Sequence, residues 1–209
     1  MADDDASIYL ASRSPRRHEL LNQLGIAFVE LLSQELHGAD VDETPQAGES
    51  PRDYVQRVAR AKAQLGWRQV AVRSLPARPV LAADTTVVLD GEILGKPDNA
   101  EHAHNMLYRL RGRTHCVLTA VAAARDVRLE TAVSVSTVEF RHLDDAEIRA
   151  YVASGEPLDK AGAYAIQGRA AAFVRTLRGS YSSIMGLPLG DTAHLLGRFG
   201  IASNWGPRD

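Results

Sequence analysis

The chain has 209 residues, 45% of them hydrophobic and 24% charged, with a formal net charge of −2 at pH 7; this is ordinary globular composition and excludes wholesale disorder. The acidic balance, with a pI near 6.4, excludes the broad basic footprint of a nucleic-acid binder, so an anionic partner has to be small. One cysteine, Cys116, excludes an internal disulfide and a cysteine-built zinc site, and the acidic opening MADDDAS with no long apolar run behind it argues against a signal peptide or a membrane span, which makes the cytoplasm the expected compartment.

A strand is expected near Ser7 to Ala11, followed by a serine-bearing turn and a helix with Ser14 as N-cap and Pro15 at its first position. That helix opens with Arg16 and Arg17, although a helix N-terminus already carries about half a positive charge and a cation beside it costs roughly 0.3–1 kcal/mol. A short strand near Phe28 to Leu32 and a longer helix from Pro51 come next. The run VLAADTTVVLDGEIL reads as a buried strand or hairpin, and a helix from Asn99 to Leu110, β-rich segments near His115 to Ala122 and Leu129 to Phe140, and a helix from Asp145 complete the pattern. Apolar strands alternating with amphipathic helices predict an α/β fold. Ser50 with Asp53, Asp98 with Glu101, and Asp144 with Glu147 resemble capping boxes. Those starts are acidic, and the Arg16–Arg17 start is the exception. RSLPARP reads as a surface loop and SNWGPRD as a tail; with no repeat and no boundary, residues 1–209 are expected to form one domain.

Four features carry candidate chemistry. Ser12, Ser14, the amides of the first helix start and the arginine forks together supply the devices that hold a phosphate, against the plain reading of Arg16 and Arg17 as solvated surface residues. Asp84 lies inside an apolar run where an unpaired carboxylate is expensive, so it is a hydrogen-bonded turn former, a metal ligand or a general base. Asp42 and Glu43 read as exposed acids that, together with Asp84, supply oxygen ligands for magnesium. Lys62 shares a helical stripe with Tyr54, Val55 and Val58, and either snorkels to the helix edge or reaches over the core margin into a cleft; Lys96 in LGKP is either a positioned charge or part of a plain turn. Ser180, Ser182 and Ser183 lack a G-x-S-x-G elbow, and the histidines form no H-E-x-x-H pair, so His102 and His104 read as surface residues.

Taken together, LASRSPRRHELL, ESPRDYVQRVARAKA, AADTTVVLDGEILGKP and DKAGAYAIQG…GSYSSIMGLPL resemble the Maf family of nucleoside triphosphate pyrophosphatases over nearly the whole chain. The resemblance implies a mixed, twisted sheet with helices, similar to the inosine-triphosphate pyrophosphatases, with two lobes around a cleft, a divalent cation (magnesium or manganese) and frequently a homodimer. It implies that Asp84 is the proton-accepting acid, that Glu43 and Asp84 hold the metal, and that Arg16, Thr85 and Gln167 govern substrate choice. Ser12, Ser14, Arg17, Lys62 and Lys96 are then the phosphate-binding set. Gln167 in AIQG resembles the subgroup acting on dTTP and UTP, whereas the subgroup acting on methylated GTP carries glutamate there. QELHGAD before VDE and RSLPARP before Val80 are longer than the family's pattern. The rival reading is a nucleotide-binding regulator of cell division with little hydrolysis.

Overall fold

The computed structural model describes residues 7–31 and 41–203; the segment QELHGAD, the first six residues and all of SNWGPRD beyond Ser203 lie outside the described residues. In chain order the elements are β1 (Ile8–Leu10), α1 (Pro15–Gln23), β2 (Phe28–Glu30), α2 (Pro51–Val72), β3 (Val80–Leu89), β4 (Glu92–Leu94), α3 (Ala100–Leu110), β5 (Thr114–Arg125), β6 (Arg128–Phe140), α4 (Asp145–Ala153), β7 (Val174–Arg178), α5 (Tyr181–Ile184) and α6 (Leu189–Gly197). Short 3-10 turns occupy Ala161–Ala163 and Arg169–Phe173. Seven strands form one sheet in the order β2-β1-β3-β5-β6-β7, with β4 on β3. Parallel pairs (β1 with β2 and β3) and antiparallel pairs (β3 with β4, β6 with β7) make it mixed, which bears out the α/β reading.

The chain divides into two compact units, the first holding the residues up to Asp84, Ala120–Val133 and those from Gly186 on, the second Thr85–Thr119 and Ser134–Met185. In the first unit β1 is the central strand, with Tyr9 in register with Val29 on one side and Val80 on the other. Every residue of β1 is buried, which is why it reads as an unbroken apolar run and not as an alternation. Leu20 and Leu21 of α1 and Val55, Val58, Ala59 and Ala63 of α2 are buried in the same unit; each larger side chain among them contributes roughly 1.5–3 kcal/mol. Ser50 caps α2 by accepting from the Asp53 amide, one half of the expected box, while the Asp53 carboxylate accepts from the Ser50 hydroxyl at 2.6 Å rather than from the Ser50 amide.

In the second unit β3 and β4 form a hairpin closed by Asp90-Gly91, both with positive φ (53° and 83°), the geometry that an Asp-Gly pair favours. Its core gathers Leu107 and Leu110 of α3, Val138 and Phe140 of β6, Ile148 of α4 and Tyr164, with edge-on aromatic contacts from Phe140 to His115, Tyr164 and Phe173. The Asp144–Glu147 capping box is present in full. The third predicted box is not: α3 starts one residue later, Asn99 caps it by accepting from the His102 amide at 2.8 Å, and Asp98 pairs with the His102 ring instead. Asn and Asp cap equally well, so position decides between adjacent residues. No helix among the described residues is long and apolar enough to cross a membrane.

Candidate active site

The start of α1 answers the charge puzzle in part. Every other helix of nine or more residues among those described has an acid in its first turn; α1 has none. Ser14 stands at the N-cap position with Pro15 behind it, but its hydroxyl makes no cap bond; its carbonyl accepts from the Arg17 and His18 amides, so the expected row of open amides at this helix start is largely taken up. Ser12 does the local work. Its buried Oγ accepts from the Ser14 amide at 3.2 Å and from Arg17 Nη1 at 3.0 Å. Two donors fill the acceptor sites of that oxygen, so the hydroxyl proton is left to donate to an incoming group.

Arg17 is fixed from a second direction, its Nε donating to the Gly186 carbonyl at 2.9 Å. Both partners are neutral oxygens, and burial holds the Arg17 pKa below the ordinary arginine value against the pull of the Asp84 and Glu43 carboxylates. Arg16, half-buried beside it, adds like charge. Arg17, which looked misplaced on a helix N-terminus, therefore feels acids from elsewhere in the chain.

Those acids meet on Lys62. Its Nζ lies 2.7 Å from Glu43 Oε1 and 2.7 Å from Asp84 Oδ1, so the two carboxylate oxygens cannot be farther apart than twice that distance. Of the two readings of Lys62 the structure supports the reach over the core margin, not the snorkel. Position explains it: Tyr54, Val55 and Val58 bury the stripe that carries the lysine stem, and Asp84 sits mid-strand on β3 with only 6% of its surface exposed. Burial pushes the Asp84 carboxyl above the usual carboxylate range, with Lys62 and then Arg17 pulling it back. Two carboxylates against Lys62 leave one negative charge, which Arg17 offsets. A carboxylate with a raised affinity for its proton, stabilised by cations but not fully solvated, is suited to accepting a proton near neutral pH.

Among the described residues no cluster of three or more His, Cys, Asp or Glu side chains is arranged to hold a metal by itself. The donor set fits a hard dication of the magnesium kind, which commonly takes one or two carboxylates and completes its shell with water and phosphate oxygens. Glu43, with its side chain 49% exposed, has room to turn toward such an ion.

The remaining predicted residues lie in the second unit. Thr85 Oγ1 is 2.9 Å from Thr119 Oγ1, and Thr119 donates its own proton to the Ser183 carbonyl at 2.7 Å. Thr85 must then be the donor in the first contact, leaving its oxygen as an acceptor. Lys96 is exposed in the loop after β4, whose Gly95 carbonyl accepts from the Gly162 amide at 3.0 Å. Gln167 is exposed in a turn closed by the Gly168 amide on the Ala165 carbonyl. Glu156 braces that turn, both its oxygens accepting from the Arg169 amide, and a Cβ at Gly168 would come within 2.2 Å of the Glu156 carboxylate. A larger residue there would have to displace the Glu156 carboxylate from the turn.

Ser180, Ser182 and Ser183 bond to one another, to Ser136 and to backbone, and Ser183 Oγ donates to the Ser180 carbonyl at 2.8 Å. They knit the β6–α5 junction. His102 and His104 pair with Asp98 and Asp145, and His104 is less exposed than a plain surface residue, with 20% of its side chain accessible. Sequence reasoning did not single out Arg57, Glu49, Glu156 or Thr119; glycine beside Gln167 was the one visible hint of the Glu156 brace.

The family model described as Maf-like protein matches residues 7–199. A dTTP/UTP pyrophosphatase of Aromatoleum aromaticum is 57% identical, the match covering 93% of this chain and 96% of that protein. Proteins of the same name from Nitrosomonas europaea (54% identical, 93% and 95% covered) and Chromobacterium violaceum (50%, 96% and 98%) are also similar. Among solved structures, the Ham1 protein of Staphylococcus aureus is similar over 64% of this chain and 71% of its own, with a TM-score of 0.43 and 16% identity. With its model matched over almost the whole length and close relatives covered end to end, the chain belongs to the Maf family.

Proposed function

We propose that the chain is a nucleoside triphosphate pyrophosphatase that hydrolyses dTTP and UTP between the α and β phosphates, giving the nucleoside monophosphate and pyrophosphate. The observation that carries the reading is the Glu43–Lys62–Asp84 cluster beside Arg17, in a chain 50–57% identical to proteins named dTTP/UTP pyrophosphatase.

In this reading Asp84 takes a proton from the attacking water as its oxygen bonds to phosphorus and the α–β bridging P–O bond breaks. Its raised proton affinity, caused first by burial, suits that task. Lys62 holds Asp84 and Glu43 in place. Arg16, Arg17, Lys62 and Lys96 offset the triphosphate, a contribution that grows as negative charge develops on the leaving pyrophosphate. Ser12 offers its unused proton, and the Ser14 hydroxyl a further donor, to phosphate oxygens. Glu43 and Asp84 would hold magnesium or manganese, which when bound supplies Lewis acidity and charge neutralisation at the reacting phosphate.

For the base, Gln167 both donates and accepts hydrogen bonds and so suits a pyrimidine edge of carbonyls and N–H, whereas an ionised glutamate only accepts. Thr85 adds an acceptor. A homodimer is the assembly proposed for this family member, and the cytoplasm its compartment.

The test is a panel of dTTP, UTP, CTP and a purine nucleotide, assayed with and without added divalent cation, with pyrophosphate and orthophosphate measured separately. Cation-dependent pyrophosphate release from dTTP and UTP is expected. Orthophosphate as the product would make the protein a terminal phosphatase, and tight binding with negligible turnover would make it a nucleotide-binding regulator.

A further inference from the structure

Glu43 lies in a stretch without regular structure, residues 41–50, and its carboxylate is half exposed. A loop acid of that kind would ordinarily sample many positions, which makes its settled place on Lys62 a matter of what holds the loop. Three consecutive backbone carbonyls answer it. Arg57 Nη1 donates to the Asp42 carbonyl at 3.1 Å, Tyr54 Oη to the Glu43 carbonyl at 3.0 Å, and Arg57 Nη2 to the Thr44 carbonyl at 3.0 Å.

Arg57 is itself anchored. Its Nε and Nη2 fork onto Glu49 Oε1 and Oε2 at 2.6 and 2.9 Å, and Glu49 Oε2 also accepts from the Gln46 amide at 3.1 Å. Tyr54 remains an O–H donor, its pKa pushed up to about 12 by burial and then by the Asp84 and Glu43 charges. Both clamps and Lys62 stand on α2. One rigid helix therefore grips the backbone of the loop on either side of Glu43 and, through Lys62, its carboxylate.

We propose that Arg57 is a positioning residue for Glu43: it touches none of the reacting groups and acts by fixing the backbone that presents this carboxylate to Lys62 and Asp84. The inference rests on the reading of Glu43 as a functional acid. Lysine is no substitute, because a point ammonium cannot span Glu49 and two carbonyls in one plane as the guanidinium fork does.

The experiment is a double-mutant cycle on dTTP hydrolysis with Arg57→Ala, Arg57→Lys, Glu43→Gln and Arg57→Ala/Glu43→Gln, each variant's melting temperature being recorded beside kcat and KM. Arg57→Ala is expected to lower kcat roughly 10- to 100-fold, the scale of an ångström-sized misplacement, with little change in KM. Arg57→Lys fails to rescue, and Arg57→Ala lowers the Glu43→Gln rate by less than about threefold, because the group it positions is already gone. Equal losses from Arg57→Ala in both backgrounds, or no loss in a folded variant, overturn the inference. If Arg57→Ala does not fold, Arg57→Lys, which keeps the charge without the fork, is carried through the same cycle. Wild-type activity in Glu43→Gln would instead overturn the reading of Glu43, a result separate from any behaviour of Arg57.

Discussion

Replacing Lys62 with methionine keeps the aliphatic stem along α2 but removes the ammonium that Glu43 and Asp84 share. At the observed 2.7 Å between Nζ and Asp84 Oδ1, an effective dielectric of about 20 gives an attraction of about 6 kcal/mol. Arg17 stays near, and water reaches the exposed Glu43 partner, which contributes little. The loss expected near neutral pH is therefore about 3–5 kcal/mol, the range for stranding one member of a buried pair. The pH dependence has a definite sign. Burial already raises the Asp84 pKa and Lys62 is the first force opposing it, so the variant's folded-state pKa moves further up. The penalty attaches to the ionised carboxylate and shrinks by about 1.4 kcal/mol per pH unit below that new midpoint. Urea denaturation of wild type and Lys62→Met, near neutrality and again at about pH 4.5, should show the large loss only in the first condition. A loss of the same size at both pH values, or one below about 1 kcal/mol near neutrality, would refute the argument that Lys62 compensates a buried charge.

Two further outcomes are expected. His115 is buried with its Nε2 on the Tyr164 hydroxyl at 2.8 Å and its Nδ1 without a partner, and burial lowers its pKa from 6.5 to about 4. It folds neutral, so stability is full above the unfolded value and falls as pH drops from 6.5 toward 4, by about 3 kcal/mol in all; His115→Gln should flatten this limb in denaturation curves, and an unchanged slope would contradict it. Gln167→Glu should reduce kcat/KM for UTP and dTTP by roughly 10- to 100-fold through a mismatched base contact, and an equal loss for every nucleotide in the panel would argue against base readout by this side chain.

The parts of this molecule that were legible from sequence are those fixed by near neighbours. Ser50 and Asp144 announce their helices through contacts three residues away, and Asp84 stood out because a carboxylate in the apolar run of β3 conflicts with its surroundings. Lys62 was visible by helical spacing from Tyr54 and Val58, although spacing alone left open whether it reached inward. What stayed hidden depends on distant partners. Arg57 looks like any exposed helical arginine until the preceding loop folds back onto it, and no periodicity links it to Asp42 or Glu49. Thr119 acquires its role only when Ser183 comes to it from 64 positions away. β7, with its half-buried VRTLR pattern, carries a weak strand signal and is defined by pairing with β6. The Asp98 error is of the opposite kind, a purely local ambiguity between two adjacent residues with equal capping power.

The central claim is that Asp84 accepts the proton of the attacking water in a chain that splits dTTP between its α and β phosphates. Asp84→Asn keeps the shape and removes the acceptor, and pyrophosphate release from dTTP in the presence of magnesium reads its effect directly. The account predicts a fall in kcat of roughly 10²–10⁴-fold with an unaltered circular-dichroism spectrum; a folded Asp84→Asn protein that releases pyrophosphate at the wild-type rate would contradict it.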